Sequence, residues 1–397
     1  MIERLRHVPL SSTDWNAADA AAAIEEIVSD ALAHFHPDRF WPAHPLDEGI
    51  ASGHTSLYCG ATGMIWALEY LRRSGASRAP VDFRGILPGL VNANKSEFTT
   101  DNYREYAAHG SLLFGDMGTA LVAIRLDPAP GIADAIYVRA NANMSLPVRE
   151  LMWGMPGSML ACLHMIDMTG EQRWRAQFTA QAERLLGELE ETADGPLWTQ
   201  DLYGERLRYL GPVHGYAGNM IPLMRGWQYL TAEQRARIAD VVPRTLARNA
   251  WRSELGASWC AAVDNDRPPR LCQHCHGAPG MVTTFAGAPF TSPELEELLV
   301  EGGKFTWAAG PLAKGSNLCH GTGGNGYAFL KLYRRTNDGA WLDRARCFAM
   351  TAIAQCRDSR HRIGRGRYSL RTGDVGLAIY LSDCLTGEAR FPTIDVF

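Results

Sequence analysis

Leu318-Cys319-His320-Gly321-Thr322-Gly323-Gly324-Asn325-Gly326-Tyr327-Ala328-Phe329-Leu330 sets a thiol and an imidazole against a pair of glycines three residues apart, Gly321 and Gly324, and then runs into an apolar segment. The same Gly-x-x-Gly opening recurs at Gly60/Gly63, Gly115/Gly118, Gly154/Gly157, Gly215/Gly218, Gly277/Gly280 and Gly373/Gly376. One such step would mean nothing. Seven of them, 39 to 62 residues apart, mark a repeat. That interval holds the helix opened by each turn, a second helix and the loops between them. Each repeat is therefore expected to be a helix pair.

The segments after the glycines, such as Met64 to Leu71 and Tyr327 to Tyr333, are apolar nearly all round, as a buried helix must be. They form the expected inner layer. More polar, amphipathic stretches at 14–35, 176–192, 231–249 and 339–356 form the expected outer layer. Thr231 to Gln234 reads as a capping box, and Ser292-Pro293-Glu294 as a cap followed by a first-turn proline. Strand-like alternation is scarce, and Ala135-Ile136-Tyr137-Val138 is its best short candidate, a hairpin edge or plain loop. The expected fold is all-α: an α/α toroid of seven helix pairs spanning 1–397 as one domain, with 1–50 an outer helix and its lead-in. An open solenoid shares this local signature, so closure is an expectation from the number of repeats.

Composition narrows the function. The 39 Lys and Arg against 43 Asp and Glu leave a near-balanced surface without a basic block, apart from the short stretch Arg357 to Arg367, so no nucleic-acid partner is expected. No run of eighteen uncharged apolar residues exists, and Met1 to His7 lacks the apolar core of a signal peptide. A cytoplasmic protein without membrane insertion is the expectation. Nine cysteines, an odd number without small-domain spacing, fit reduced thiols and metal ligation better than disulfides. Cys162, Cys347, Cys356 and Cys384 sit among apolar residues and read as core.

Histidine precedes the first glycine of a repeat at His214, His276 and His320, and cysteine precedes that histidine at Cys275 and Cys319. If the turns ring one cavity, Cys275, Cys319 and His320 are a candidate zinc set. Three ligands leave a fourth position open, as in catalytic rather than structural sites. Buried polar residues at helix starts are the competing reading. Cys272-Gln273-His274-Cys275 is a rival Cys-x-x-Cys step without a matching second half, with Cys260 and His274 as spare donors.

Cys275-His276-Gly277-Ala278-Pro279-Gly280 and the Cys319 stretch resemble the zinc motifs of the LanC-like family, the lanthionine synthetase C-like proteins, particularly its eukaryotic glutathione-binding branch. His214-Gly215-x-x-Gly218 is similar to that family's catalytic-histidine repeat. Glu150-Leu151-x-x-Gly154-x-x-Gly157 is similar to its repeat carrying a catalytic acidic residue. The resemblance implies a seven-repeat toroid with zinc at its mouth, adding a thiol to dehydroalanine or dehydrobutyrine to make a thioether. It casts His214 as proton donor and Glu150 as base or orienting group. Lys314 matches a glutathione-contacting lysine, and Arg365 and Arg367 are candidates for a substrate carboxylate. Two departures stand out: His274 replaces the usual tryptophan before the first zinc cysteine, and Arg371-Thr372 replaces the usual Phe-Glu. The implied partners are a dehydroamino-acid peptide or protein and glutathione. The alternative is a zinc- and glutathione-binding sensor without turnover, and a glycan-processing toroid is disfavoured because the turns carry Cys and His rather than paired carboxylates.

Overall fold

The computed structural model describes residues 4–10, 14–47, 54–97, 110–202, 204–263 and 267–397. The first glycine of every repeat is the residue from which a helix starts: Ala61–Arg73, Asp116–Leu126, Met155–Thr169, Tyr216–Arg225, Ala278–Phe285, Thr322–Thr336 and Asp374–Thr386. These helices are buried on nearly every face over most of their length, as their uninterrupted apolar character requires. Outside them lie Ala17–Ala33, Leu87–Glu97, Ile132–Ala142, Gln172–Gly187, Ala232–Arg248, Pro293–Ala309 and Gly339–Ile363. They are two-faced: Ala232–Arg248 buries Ile238, Val241, Val242 and Leu246 beneath a charged outer surface. Its capping box at Thr231 and Gln234 forms as expected, and Ser292 accepts the N–H of Leu295.

The ring closes. Each inner helix packs on the next, and the last, Asp374–Thr386, packs on the first, Ala61–Arg73. The second glycine of each repeat makes this possible. A Cβ on Gly280 would lie 1.8 Å from the His274 carbonyl oxygen and 2.8 Å from Pro212. On Gly324 it would lie 1.8 Å from the Leu318 oxygen and 3.1 Å from the Cβ of His274. The first contact folds the turn back over its own helix; the second is where the preceding turn docks. The docking residue always sits three before the first glycine, so Leu57, Leu112, Leu151, Pro212, His274 and Leu318 each meet the next repeat, and Leu370 meets Gly63. That last contact joins repeat seven to repeat one.

One local expectation is corrected. Ala135 to Val138 lies within the helix Ile132–Ala142, whose buried residues Ile136 and Ala140 are one helical turn apart and whose Val138 is exposed. The strands are elsewhere, in three short hairpins pairing Glu190–Thr192 with Gly195–Leu197, Gln200–Leu202 with Glu205–Leu207, and Trp251–Ser253 with Gly256–Ser258. Among the described residues no helix is long and apolar enough to cross a membrane. Beyond Thr386 the chain folds back into the ring: Phe391 stacks on His274 at 4.3 Å, Arg225 donates to the Ile394 carbonyl, and a ring nitrogen of His164 lies 3.2 Å from the Thr393 oxygen.

Candidate functional site

The turns gather at one end of the ring, and backbone hydrogen bonds link them in series. Cys275 N–H donates to the Cys319 carbonyl at 3.1 Å, Cys319 N–H to the Arg371 carbonyl at 2.8 Å, Arg371 N–H to the Tyr58 carbonyl at 3.1 Å, and Tyr58 N–H to the Leu113 carbonyl at 2.9 Å. All five occupy the second position before their first glycine. Their equivalence explains why two cysteines so far apart in sequence become neighbours.

The Cys275 and Cys319 thiols contact one another, and His320 contacts Cys319. Tyr58 O–H donates to Cys319 Sγ at 2.6 Å, and the Gln273 amide donates to Cys275 Sγ at 3.0 Å. Cys319 is held below the ordinary thiol range because Cys275, His320 and Tyr58 all stabilise its thiolate, which outweighs its burial. The donor chemistry, two sulfurs and an imidazole, is what a thiophilic divalent ion takes. The three side chains are not yet disposed as a coordination sphere: among the described residues no group of three or more His, Cys, Asp or Glu side chains is arranged to hold a metal. The buried Nδ1 of His276 has no hydrogen-bond partner among the described residues, and burial lowers that imidazole to about 4.

Glu150 and His214 meet. The carboxylate, 0% exposed, accepts from the N–H groups of Met152 at 3.0 Å and of Trp153, and its Oε2 lies 2.9 Å from His214 Nδ1. This fixes the imidazole plane. The His214 ring is 6.4 Å from that of His276. The two thiol-bearing turns thus stand beside an oriented imidazole.

The other sequence candidates scatter around this centre. Lys314 is exposed and near enough to Cys275 to favour its thiolate, without a hydrogen bond or ion pair among the described residues. Arg367 is 2.8 Å from Asp47 and also donates to Leu46 O, while Arg365 donates to Ala43 O. Both guanidinium groups tie down the lead-in, so a substrate carboxylate would have to displace that segment. Cys272 turns its thiol to Thr306 and is pushed up to about 12 by burial; Cys260 donates to Arg267 O. The rival Cys-x-x-Cys donors therefore face apart. Sequence reasoning missed Tyr58, whose only signal was its register with Cys275 and Cys319, and did not foresee that Arg371 turns inward.

A closed ring of seven helix pairs with cysteine and histidine turns at one end defines the class. The family model described as lanthionine synthetase C-like protein matches residues 26–396, and the chain belongs to that family. A Danio rerio protein named glutathione S-transferase LANCL1 is 27% identical over 259 residues, 62% of each chain. An Arabidopsis thaliana protein named LanC-like protein GCL1 is 32% identical over 199 residues, 48% of this chain and 44% of that protein. The matched regions are thus less than two thirds of the length of these relatives. Among solved structures, nisin cyclase superposes with a TM-score of 0.59 at 14% identity, over 92% of this chain and 94% of that one, a likeness of fold.

Proposed function

We propose that the protein is a zinc-dependent enzyme that adds a thiol to the double bond of dehydroalanine or dehydrobutyrine, giving a thioether. The observation that carries this reading is the Glu150–His214 contact of 2.9 Å beside the two-thiol turns. A module that only bound its ligands would have no use for a buried carboxylate committed to orienting an imidazole. Zinc on Cys275, Cys319 and His320, when bound, supplies the acidification of an incoming thiol.

In the reaction the thiol sulfur bonds to the β-carbon, the π electrons pass to the α-carbon, and a proton is delivered there. His214 delivers that proton and is recharged by the proton the thiol gives up, so atoms and electrons balance without an oxidant. Glu150 holds the ring in place and acts through His214. Lys314, near Cys275 and without an ion pair among the described residues, favours a thiol that carries its own carboxylates, such as glutathione, over a peptide's cysteine. The name of the Danio rerio relative points the same way.

The test is mass spectrometry of a dehydrobutyrine peptide, with and without an internal cysteine, incubated with the zinc-loaded protein and glutathione. A glutathione adduct is expected. A ring without glutathione would assign cyclisation instead, and neither product would leave the non-catalytic sensor as the better reading.

A further inference from the structure

The segment that re-enters the ring beyond Thr386 touches both turns that carry the thiols. Its Phe391 ring stacks at 4.3 Å on His274, the residue before Cys275, and the Arg371 guanidinium lies 4.7 Å from the same ring. Arg371, only 4% exposed, donates from Nη2 to Pro392 O at 2.8 Å and to Thr393 Oγ1 at 2.9 Å. Its own carbonyl receives the N–H groups of Leu318 at 3.1 Å and Cys319 at 2.8 Å. One residue therefore joins the end of the chain to the Cys319 turn. Burial works against the Arg371 charge, and Tyr58, Cys319 and Asp395 are among the groups that favour it.

The segment is itself braced on several sides. Asp395 accepts from Phe391 N–H at 2.6 Å and pairs with Lys331 at 2.8 Å, while Arg225 donates to the Ile394 carbonyl. Thr393 stands at a φ of 58° with 0% of its surface exposed, a left-handed conformation that β-branched residues rarely adopt. Such a conformation persists only where its surroundings over-determine it. Here the strain falls on the residue that grips Arg371.

We infer that residues 389–397 belong to the thiol site: inserted in the ring, they fix Arg371, a positioning residue that keeps the Cys319 turn in the register that meets Cys275. Arg371 acts through its backbone carbonyl, and Phe391 steadies His274 at the Cys275 turn. Assembly of the site therefore waits on the last residues of the chain. Withdrawal of the segment parts the two thiols while the helix pairs of the ring stay formed.

The experiment joins two readouts on the full chain. Amide hydrogen exchange reports the Leu318 and Cys319 N–H groups, with Gly154 N–H, bonded to the Glu150 carbonyl at 3.0 Å, as the reference in a remote turn. Capture of phenylarsine oxide after chelation, read by mass spectrometry, reports whether Cys275 and Cys319 act as a pair, because the arsenical bridges two thiols only when they lie together. Arg371→Met should speed exchange at Leu318 and Cys319 and slow capture, each about tenfold or more, the scale of the hydrogen bonds to a charged group that it removes, and should leave Gly154 unchanged. Arg371→Lys keeps a charged donor and should restore part of both. A folded Arg371→Met within about twofold of wild type in both readouts would overturn the inference, as would faster exchange spread equally to Gly154, the sign of a merely structural role. Should Arg371→Met fail to fold, Thr393→Val decides: it keeps the side-chain shape without the hydroxyl and should move both readouts the same way, whereas Thr393→Ser keeps the hydroxyl and should match wild type. A silent Thr393→Val, or a Thr393→Ser as impaired as Thr393→Val, would then overturn it. Neither readout needs turnover or bound metal, so failure of the thioether assay leaves the inference standing.

Discussion

Glu150→Gln is nearly isosteric, yet it should remove most of the catalysis. The side chain is 0% exposed, and its two oxygens accept from Met152 N–H, Trp153 N–H and His214 Nδ1. An amide retains one acceptor oxygen for the backbone and presents its NH₂ to whatever the second oxygen served. If it faces His214, the ring must turn its bare nitrogen to the amide and carry its proton on Nε2, and the charged imidazole loses its counter-charge. General acid–base groups contribute about 10²–10⁴ in rate, so kcat should fall roughly 10²–10³-fold, about 3–4 kcal/mol. The buried donor mismatch should cost about 1–3 kcal/mol of stability, roughly 1–4 °C for a chain of this size. Single-turnover mass spectrometry gives the rate, with KM for the thiol and zinc content measured alongside; both should be unchanged, because Glu150 touches neither ligand set. A folded, zinc-replete variant within about threefold of wild-type kcat would refute the orienting role. A loss of rate that followed loss of zinc would refute it equally.

Gly324→Ala puts a methyl 1.8 Å from the Leu318 oxygen and should destabilise by about 3 kcal/mol or more, whereas Gly339→Ala, with nothing within 4 Å, should not lower the melting temperature. Burial pushes the Asp383 carboxyl up to about 6 despite its hydrogen bonds from Arg390, while the unfolded chain titrates near its ordinary value of about 3.9. The folded state therefore binds an extra proton between those values, and stability should rise as pH falls from about 7 to about 4, by about 3 kcal/mol at most relative to Asp383→Asn, measured by urea unfolding at each pH. Lys314→Ala should raise KM for glutathione about threefold to fivefold, the scale of one exposed ionic contact, with kcat and zinc content unchanged; an unaltered KM would remove Lys314 from the thiol site.

The ring was legible in the sequence because its closest contacts are made by glycine, and a backbone approach that no Cβ survives leaves a mark at fixed offsets. The glycines at 63, 280 and 324 carry that mark whatever their neighbours are. Ile132–Ala142 was misread over four residues because a short apolar run fits a strand and one helical turn equally well; the one-turn spacing of Ile136 and Ala140 settles it only once the whole helix is considered. The hairpins went unseen because three-residue strands are too short to show alternation, although Asp194-Gly195 is a hairpin dipeptide. Cys275, Cys319 and His214 were singled out by residue type and register and Glu150 by the family resemblance alone, and the structure brings the Cys275 and Cys319 turns together and sets Glu150 against His214. Arg371 was recorded only as a departure from the family pattern. Its partners are carbonyl and hydroxyl oxygens of a segment returning through the ring, a long-range relation with no local signature. Arg365 and Arg367 show another long-range relation: their guanidinium groups contact the lead-in at Ala43, Leu46 and Asp47.

Zinc K-edge absorption spectroscopy with metal analysis, on wild type and on Cys319→Ala, tests the meeting of turns five and six most directly. One zinc per chain, with two sulfur scatterers and at least one imidazole in wild type and with loss of the metal from a folded Cys319→Ala, is the predicted result. Metal-free wild type, or a zinc content that Cys319→Ala leaves unchanged, would contradict it.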